Sequence, residues 1–377
     1  MICSRSFKFI LSLAALLLSS CATSQTVPPA AAATPTAALP NAATLSASAP
    51  TPAAPTATLE SPRPFDLERA DIRKFIDDVS SRHALSRDSV RTILAAGLHQ
   101  PRIIEAMTRP AETVLTWDAY KARLVSADRI ARGSEFWKTH HERLQRTATL
   151  TGVDAAIIVA IIGIETNYGR NKGSWRVLDA LMTLGFDYPR RAEFFRSELE
   201  HFILMTREES LDPTALLGSY AGAMGAPQFM PSSYRRFAVN GPLDGQDNQR
   251  RDLFDDWDDV IASVANYFVA HDWKPGEPVL LETTELPEAL AATLERRNLE
   301  LNHTLATLRA QGVDFNTSLK PETRAMLVPA ETAAGPAARI GLHNFRVITR
   351  YNRSVLYAMA VNDLAAALQR PTTAGAP

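Results

Sequence analysis

The chain has 377 residues, 46% of them hydrophobic, with 40 basic and 41 acidic side chains and a net charge of −1. That balance leaves no basic field to hold DNA or RNA, and no nucleic-acid-binding motif is present, so nucleic acid is excluded as a partner class. Its 2 cysteines, Cys3 and Cys21, both lie near the start, which excludes a disulfide framework, a cysteine zinc site or a thiol nucleophile in the body of the chain.

In chain order, residues 1–20 read as a lipoprotein signal peptide. Arg5 and Lys8 accompany an apolar run over residues 9–18, too short to span a bilayer as a mature helix. Leu18-Ser19-Ser20-Cys21 follows, with small residues where a peptidase must approach and Cys21 as the expected lipidated N-terminus. Ala22 in place of Asp predicts sorting to the periplasmic side of the outer membrane. Residues 21–62 are rich in Ala, Pro, Thr and Ser, and Glu60 is the single charge. With no aromatics to offset ordering entropy, they are expected to form a disordered tether. Fully extended, about 40 residues reach on the order of 130 Å.

Residues 63–150 read as an α-helical domain. Phe75, Ile76 and Val79 recur at helical spacing, as do Val90, Ile93 and Leu94, then Ile103, Ile104 and Met107, with Pro101 and Pro110 as punctuation. Residues 116–149 continue the helical pattern through Trp117, Tyr120, Leu124, Phe136 and Leu144. His140 and His141 are adjacent and point to different helix faces, so they do not form a metal pair.

Residues 151–273 hold the chemistry. Thr151-Gly152-Val153-Asp154 has the form of a capping signature before an apolar run at 155–164, and a helix apolar on nearly every side belongs inside a protein. The run meets Glu165, then Thr166-Asn167-Tyr168-Gly169, with Gly169 as the expected helix stop. A carboxyl at the end of such a helix loses hydration, which favours its protonated form. A protonated carboxyl is what cleavage of a glycosidic bond needs, since the leaving oxygen must receive a proton. The alternative is a structural Glu that caps a backbone or pairs with Arg170. Residues 218–234 are dense in small and turn residues yet carry aromatics and an amide. Residues 274–340 read as a small mixed α/β part, with a strand candidate at 279–281 and a helix over 286–308. Residues 341–351 alternate like a strand or bend, 354–368 form a closing helix, and 369–377 form a flexible tail.

Together, Gly163-Ile164-Glu165-Thr166-Asn167-Tyr168-Gly169, Asp187-Tyr188-Pro189-Arg190-Arg191, Gly218-Ser219-Tyr220-Ala221-Gly222-Ala223-Met224-Gly225, Gln228-Phe229-Met230-Pro231-Ser232-Ser233-Tyr234 and Ile348-Thr349-Arg350-Tyr351-Asn352 resemble the lytic murein transglycosylase B family. The resemblance runs over about 65–368. It implies a mainly α (α+β) fold: a lysozyme-like core over 151–273 between the α-helical domain and the smaller β-containing subdomain at 274–340. Residues 341–368 would return to the core.

It further implies cleavage of the β-1,4 bond between N-acetylmuramic acid and N-acetylglucosamine without water, leaving a 1,6-anhydro ring. Glu165 would act as acid and then base, with no cofactor and no metal. Ser219 and Gln228 match groove-lining positions. Tyr351 and Asn352 match a pair that approaches the acid. Met224, Phe229 and Tyr234 offer faces to sugar rings or simply pack in the core. Arg190 and Arg191 contact carboxylates of the wall or sit solvated at a helix start. The implied partners are peptidoglycan glycan strands and, through Cys21, a membrane.

Some relatives carry an EF-hand-like cation site in the loop after Pro-Ser-Ser. Here residues 240–255 contain Asp244, Asp247, Asp252 and Asp255 without the regular ligand spacing, and Pro242, Arg250 and Arg251 fit poorly, so the acids read as surface charges or ion-pair partners. Two rival readings stay open. One is a wall-binding scaffold that does little chemistry. The other is a two-carboxylate muramidase with Glu208 or Glu209 as the partner. The remaining acids between 179 and 200 read largely as solvent-face charges.

Overall fold

The computed structural model describes residues 61–108, 115–241, 250–292, 294 and 298–370, all within one compact unit spanning 38–377. The signal segment, Cys21, the tether up to residue 60, Pro110, Pro242, Asp244, Asp247 and the tail from 371 lie outside the described residues.

The described chain is mainly helical. Arg63–Pro64 (β1) pairs antiparallel with Leu98–His99 (β2), with helices Ala70–His83 and Arg87–Ala95 between them in the chain and Pro101–Thr108 after them. In the first of these helices Ile72, Phe75, Ile76 and Val79 form the inward stripe, none more than 5% exposed. The pattern over 116–149 resolves into three helices rather than one: Trp117–Leu124, Ala127–Thr139 and His141–Thr151. Ser126 marks the first break, where its side chain receives the Arg129 amide at 3.3 Å.

The capping signature at 151–154 forms differently from expectation. Thr151 ends one helix, Gly152 takes the left-handed conformation that closes it, and Asp154 alone caps the next by receiving the Ala156 amide at 2.8 Å. Helix Ala155–Thr166 is buried along its whole length, as an all-apolar helix must be. Helices Ala127–Thr139, His141–Thr151, Trp257–Ala270 and Val355–Gln369 enclose it. Its stop is Asn167 in the left-handed region (φ 49), two residues before Gly169.

Helix Val177–Asp187, which the periodicity reading passed over, is apolar and buried from Val177 to Phe186 and packs along Ala192–Glu208. Trp175–Arg176 (β3) pairs with Leu217–Gly218 (β4). Leu280–Glu282 (β5), His303–Thr304 (β6), Arg324–Pro329 (β7) and Ala338–Gly341 (β8) form a sheet of order β5-β8-β7-β6. It has its own apolar cluster, including Leu305, Leu308, Phe315, Leu327 and Ile340.

Two further expectations are corrected here. The helix read over 286–308 shrinks to Glu288–Ala291 and Leu305–Ala310, the latter started by a Thr304–Thr307 capping box directly after β6. Residues 343–351 are helical, because Asn344, Phe345, Val347, Ile348 and Thr349 bury a helical face beyond the end of β8. Asp363, on the closing helix, joins sheet to helices: Arg339 of β8 donates to it at 2.8 Å and Lys121 lies at 2.6 Å. Among the described residues no single helix is long and apolar enough to cross a membrane.

Candidate active site

Glu165 lies one residue from the end of its buried helix and is 2% exposed. The Tyr357 hydroxyl, on the closing helix, donates to Glu165 Oε1 at 2.6 Å. Burial and then the Glu165 charge push the Tyr357 phenol well above its ordinary range, so it stays neutral and remains a donor. The Tyr351 phenol is raised by the same causes in the same order. Tyr351 is part-exposed as a residue, yet its hydroxyl end is enclosed and donates to Pro227 O at 2.6 Å. Its ring sits among Phe229, Tyr267 and Phe268, with centroids 4.8 to 5.9 Å away.

After Glu165 the backbone turns through three consecutive left-handed residues, Asn167, Tyr168 and Gly169. For the two that are not glycine this costs about 1–2 kcal/mol each, a strain that persists only where surroundings impose it. Thr166 imposes it from one side: its hydroxyl receives the Gly169 amide at 3.0 Å and lies 2.9 Å from Ala226 O. Tyr168 imposes it from the other, donating to Arg129 O at 3.0 Å. The Asn167 Oδ1 atom is buried with no hydrogen-bond partner among the described residues.

The 218–234 block is brought against this turn by a backbone-to-backbone approach. Gly173 has φ 93, and a Cβ there would fall 2.0 Å from Gly218 O. Only glycine fits. Ser219, 2% exposed, receives the Ala221 and Ala223 amides on its hydroxyl at 3.3 and 3.0 Å. Gln228 donates from Nε2 to Lys172 O at 3.1 Å and Gly225 O at 3.0 Å, so its NH₂ braces the segment that follows Glu165. Both side chains therefore have structural partners of their own.

Met224, Phe229 and Tyr234 are 0, 2 and 0% exposed and belong to the main apolar core. The Tyr234 hydroxyl donates to Arg251 O. They present no face to a sugar ring, so of the two readings open in the sequence, packing is the one their burial fits. Asn352 differs from them: part-exposed, it makes no side-chain hydrogen bond among the described residues.

The structure separates the paired arginines. Arg191 stacks over the Phe194 ring at 4.3 Å and approaches Phe195 at 5.4 Å, and burial lowers its pKa. Arg190 is exposed on the turn Pro189–Arg191.

The neighbouring acids correct the solvent-face reading. Asp179 is 2% exposed and receives the Leu98 amide at 2.9 Å. Glu198 is 4% exposed and receives the Ser232 amide and hydroxyl at 2.9 and 2.6 Å, with burial raising its pKa. These carboxyls are buried because they satisfy backbone amides of crossing segments. Glu209 is tied to the Arg251 guanidinium at 2.6 Å, and Glu208 to Arg235 at 2.7 Å. Asp255 pairs with Lys172 at 3.1 Å and Asp252 receives the Phe254 amide at 2.8 Å. His140 rests against the Phe136 and Trp257 rings. Among the described residues no group of three or more His, Cys, Asp or Glu side chains is placed to hold a metal ion.

The transglycosylase SLT domain matches residues 68–366. The chain belongs to the transglycosylase SLT domain family. It is 38% identical over 307 residues to membrane-bound lytic murein transglycosylase B of Escherichia coli (strain K12), covering 78% of this chain and 82% of that protein. The solved soluble lytic transglycosylase SltB1 of Pseudomonas aeruginosa is 42% identical, with a TM-score of 0.74 over 79% of this chain and 98% of that one. SltB3 of Pseudomonas aeruginosa, solved in complex with NAG-anhNAM-pentapeptide, is 29% identical, with a TM-score of 0.68 over 79% of both chains.

The lysozyme-like, mainly α fold expected from the motifs is thus the fold of this transglycosylase. One residue that touches Glu165 escaped the motif reading. Tyr357 lies six positions after Tyr351, on a closing helix whose other buried residues are aliphatic or small. The available signal was physical: a tyrosine on an inward face needs a partner for its hydroxyl.

Proposed function

We propose that this transglycosylase cleaves the β-1,4 bond between N-acetylmuramic acid and N-acetylglucosamine in peptidoglycan without consuming water, with Glu165 as the one acid and base. The observation that carries the assignment is a carboxyl buried at the end of an apolar helix and held by the neutral Tyr357 hydroxyl at 2.6 Å. Burial disfavours the charged carboxylate, and a group that enters the reaction as an acid needs that environment.

In the first step the Glu165 proton passes to the glycosidic oxygen and the C1–O bond breaks. The substrate's own 2-acetamido group supports the positive charge at C1. The C6 hydroxyl then attacks C1, and the Glu165 carboxylate takes its proton, which restores the acid. One carboxyl serves both steps because the second is intramolecular and no water needs a base. The two-carboxylate reading has little to stand on, since Glu208 and Glu209 are each occupied by an arginine.

Tyr357 orients the reacting carboxyl. The side-chain amide of Asn352, without a side-chain hydrogen bond among the described residues, reaches for the acetamido group. Ser219 and Gln228 shape the groove wall chiefly through the backbone they hold. Arg190 meets carboxylates of the peptide stems, a reading supported by the pentapeptide in the SltB3 complex. Met224, Phe229 and Tyr234 support the groove from behind.

The enzyme works in the cell envelope. We further assign Cys21 as a lipid anchor at the periplasmic side of the outer membrane, with 21–62 as the tether. Residues 63–150, 151–273, 274–340 and 341–368 serve as helical domain, catalytic core, small mixed subdomain and returning segment. Replacement of Glu165 by Gln tests the central residue: turnover should fall about 10²–10⁴-fold, the usual worth of a general acid–base. Binding to insoluble peptidoglycan should persist. Near-normal turnover by Glu165→Gln would remove Glu165 from the mechanism.

A further inference from the structure

Asp187 opens the Asp-Tyr-Pro-Arg-Arg motif, and none of the roles above uses it. It is the last residue of helix Val177–Asp187, and two arginines finish that helix. Arg69 Nη2 donates to Phe186 O at 3.0 Å, and Arg196 Nη1 donates to Gly185 O at 2.9 Å. Arg69 Nη1 also donates to Asp187 Oδ1 at 2.8 Å. The rest of the same fork is fixed by Asp71, at 3.2 Å from Nε and 2.8 Å from Nη2. His99 Nε2 stands 3.5 Å from the second Asp187 oxygen. One planar guanidinium therefore grips a carbonyl and two carboxylates, a geometry that lysine cannot reproduce.

This clamp is a weak source of stability. Arg69 and Asp187 are 34% and 25% exposed, and ion pairs open to water are worth about 0–1 kcal/mol. Its value lies in geometry. Immediately after Asp187 the chain runs through buried Tyr188 into the turn Pro189–Arg191, where the Arg191 amide bonds Tyr188 O at 3.2 Å. The far end of the turn is pinned by Arg191 lying over Phe194. Between two fixed ends, Arg190 is presented to solvent.

We infer that Arg69 is a positioning residue for substrate recognition: through Asp187 and Phe186 O it sets the turn that aims Arg190 at the carboxylates of the peptide stem. The inference rests on the reading of Arg190 given above. The Arg69 clamp also ties recognition to β1 and β2, since β1 pairs with β2 beside His99 and Phe65 packs edge-on against Phe186.

The experiment compares initial rates of the full chain on glycan strands that carry peptide stems and on strands stripped of them by an amidase. Arg69→Gln should raise KM on the peptide-bearing strands on the order of tenfold, the scale expected for a misplaced binding group. It should leave kcat, and KM on stripped strands, unchanged. Arg69→Lys should recover only part of the loss. Arg190→Gln should show the same substrate split, and Arg69→Gln added to Arg190→Gln should cost nothing more, because both act through one contact. If Arg190→Gln splits the substrates and Arg69→Gln does not, or if the two losses multiply, the positioning role is overturned. If Arg190→Gln affects both strands equally, the Arg190 reading itself fails and the inference falls with it.

Discussion

Glu165 and Tyr357 form a hydrogen-bonded pair, and in the proposed mechanism one member does the chemistry while the other orients it. A buried carboxyl free to rotate would present either oxygen, and the hydroxyl 2.6 Å from Oε1 fixes which one faces inward. Tyr357→Phe removes that donor without changing the ring. Loss of this hydrogen bond to a buried carboxyl should cost about 1–3 kcal/mol of stability, measured by urea unfolding. Turnover should fall roughly tenfold. Unchanged turnover would show that Tyr357 only packs. At this scale the sequence was partly legible. An apolar run that ends on a Glu places that carboxyl at the end of a buried helix, which is where Glu165 lies. Asp179 and Glu198 were illegible as buried groups, because their partners are backbone amides 81 and 34 residues away. Side-chain periodicity records no such bond.

The elements carry the pair to its place, and two devices do most of this. Gly173 lets the chain after Glu165 lie directly on the Gly218–Ser219 backbone, with no room for a Cβ. Gly173→Ala should destabilise by about 2–4 kcal/mol, since backbone cannot move aside as a flexible side chain can, and the thermal midpoint should drop. The second device is the buried carboxylate of Asp363 on the helix that also carries Tyr357. Burial alone would raise its pKa, but hydrogen bonds from Arg339 and Lys121 outweigh burial and hold it below the ordinary value. A depressed folded pKa stabilises above the unfolded value, about 3.9, and that stability is lost as pH falls through the folded pKa. Asp363→Asn should therefore destabilise by about 3 kcal/mol at neutral pH, with the gap to the parent closing in acid. A gap independent of pH would contradict the assignment. Strong helical periods such as Phe75, Ile76 and Val79 were read correctly. Residues 343–351 were not, because a short helix directly after a strand shows too few turns to display its period. The helix over 286–308 was overread for a similar reason: apolar spacing alone does not register the strand His303–Thr304 that interrupts it.

At the scale of the molecule, a catalytic body with its acid buried is joined to 21–62 and Cys21. Cys21→Ser should move the protein from the membrane to the soluble periplasmic fraction and leave its turnover on isolated peptidoglycan unchanged. Retention in the membrane would count against the lipid anchor. The family resemblance depended on motifs scattered from 163 to 352, of which the fold ties the turn after Glu165, the 218–234 block and Tyr351 together through Thr166, Gln228 and Pro227. In the proposed mechanism, bond cleavage consumes no water. Digestion of purified peptidoglycan in water enriched in heavy oxygen, followed by mass analysis of the released fragments, tests it directly. The mechanism predicts anhydro-ended fragments, each lighter by one water than a hydrolysis product and free of the heavy label. Labelled fragments with reducing muramic acid ends would contradict it.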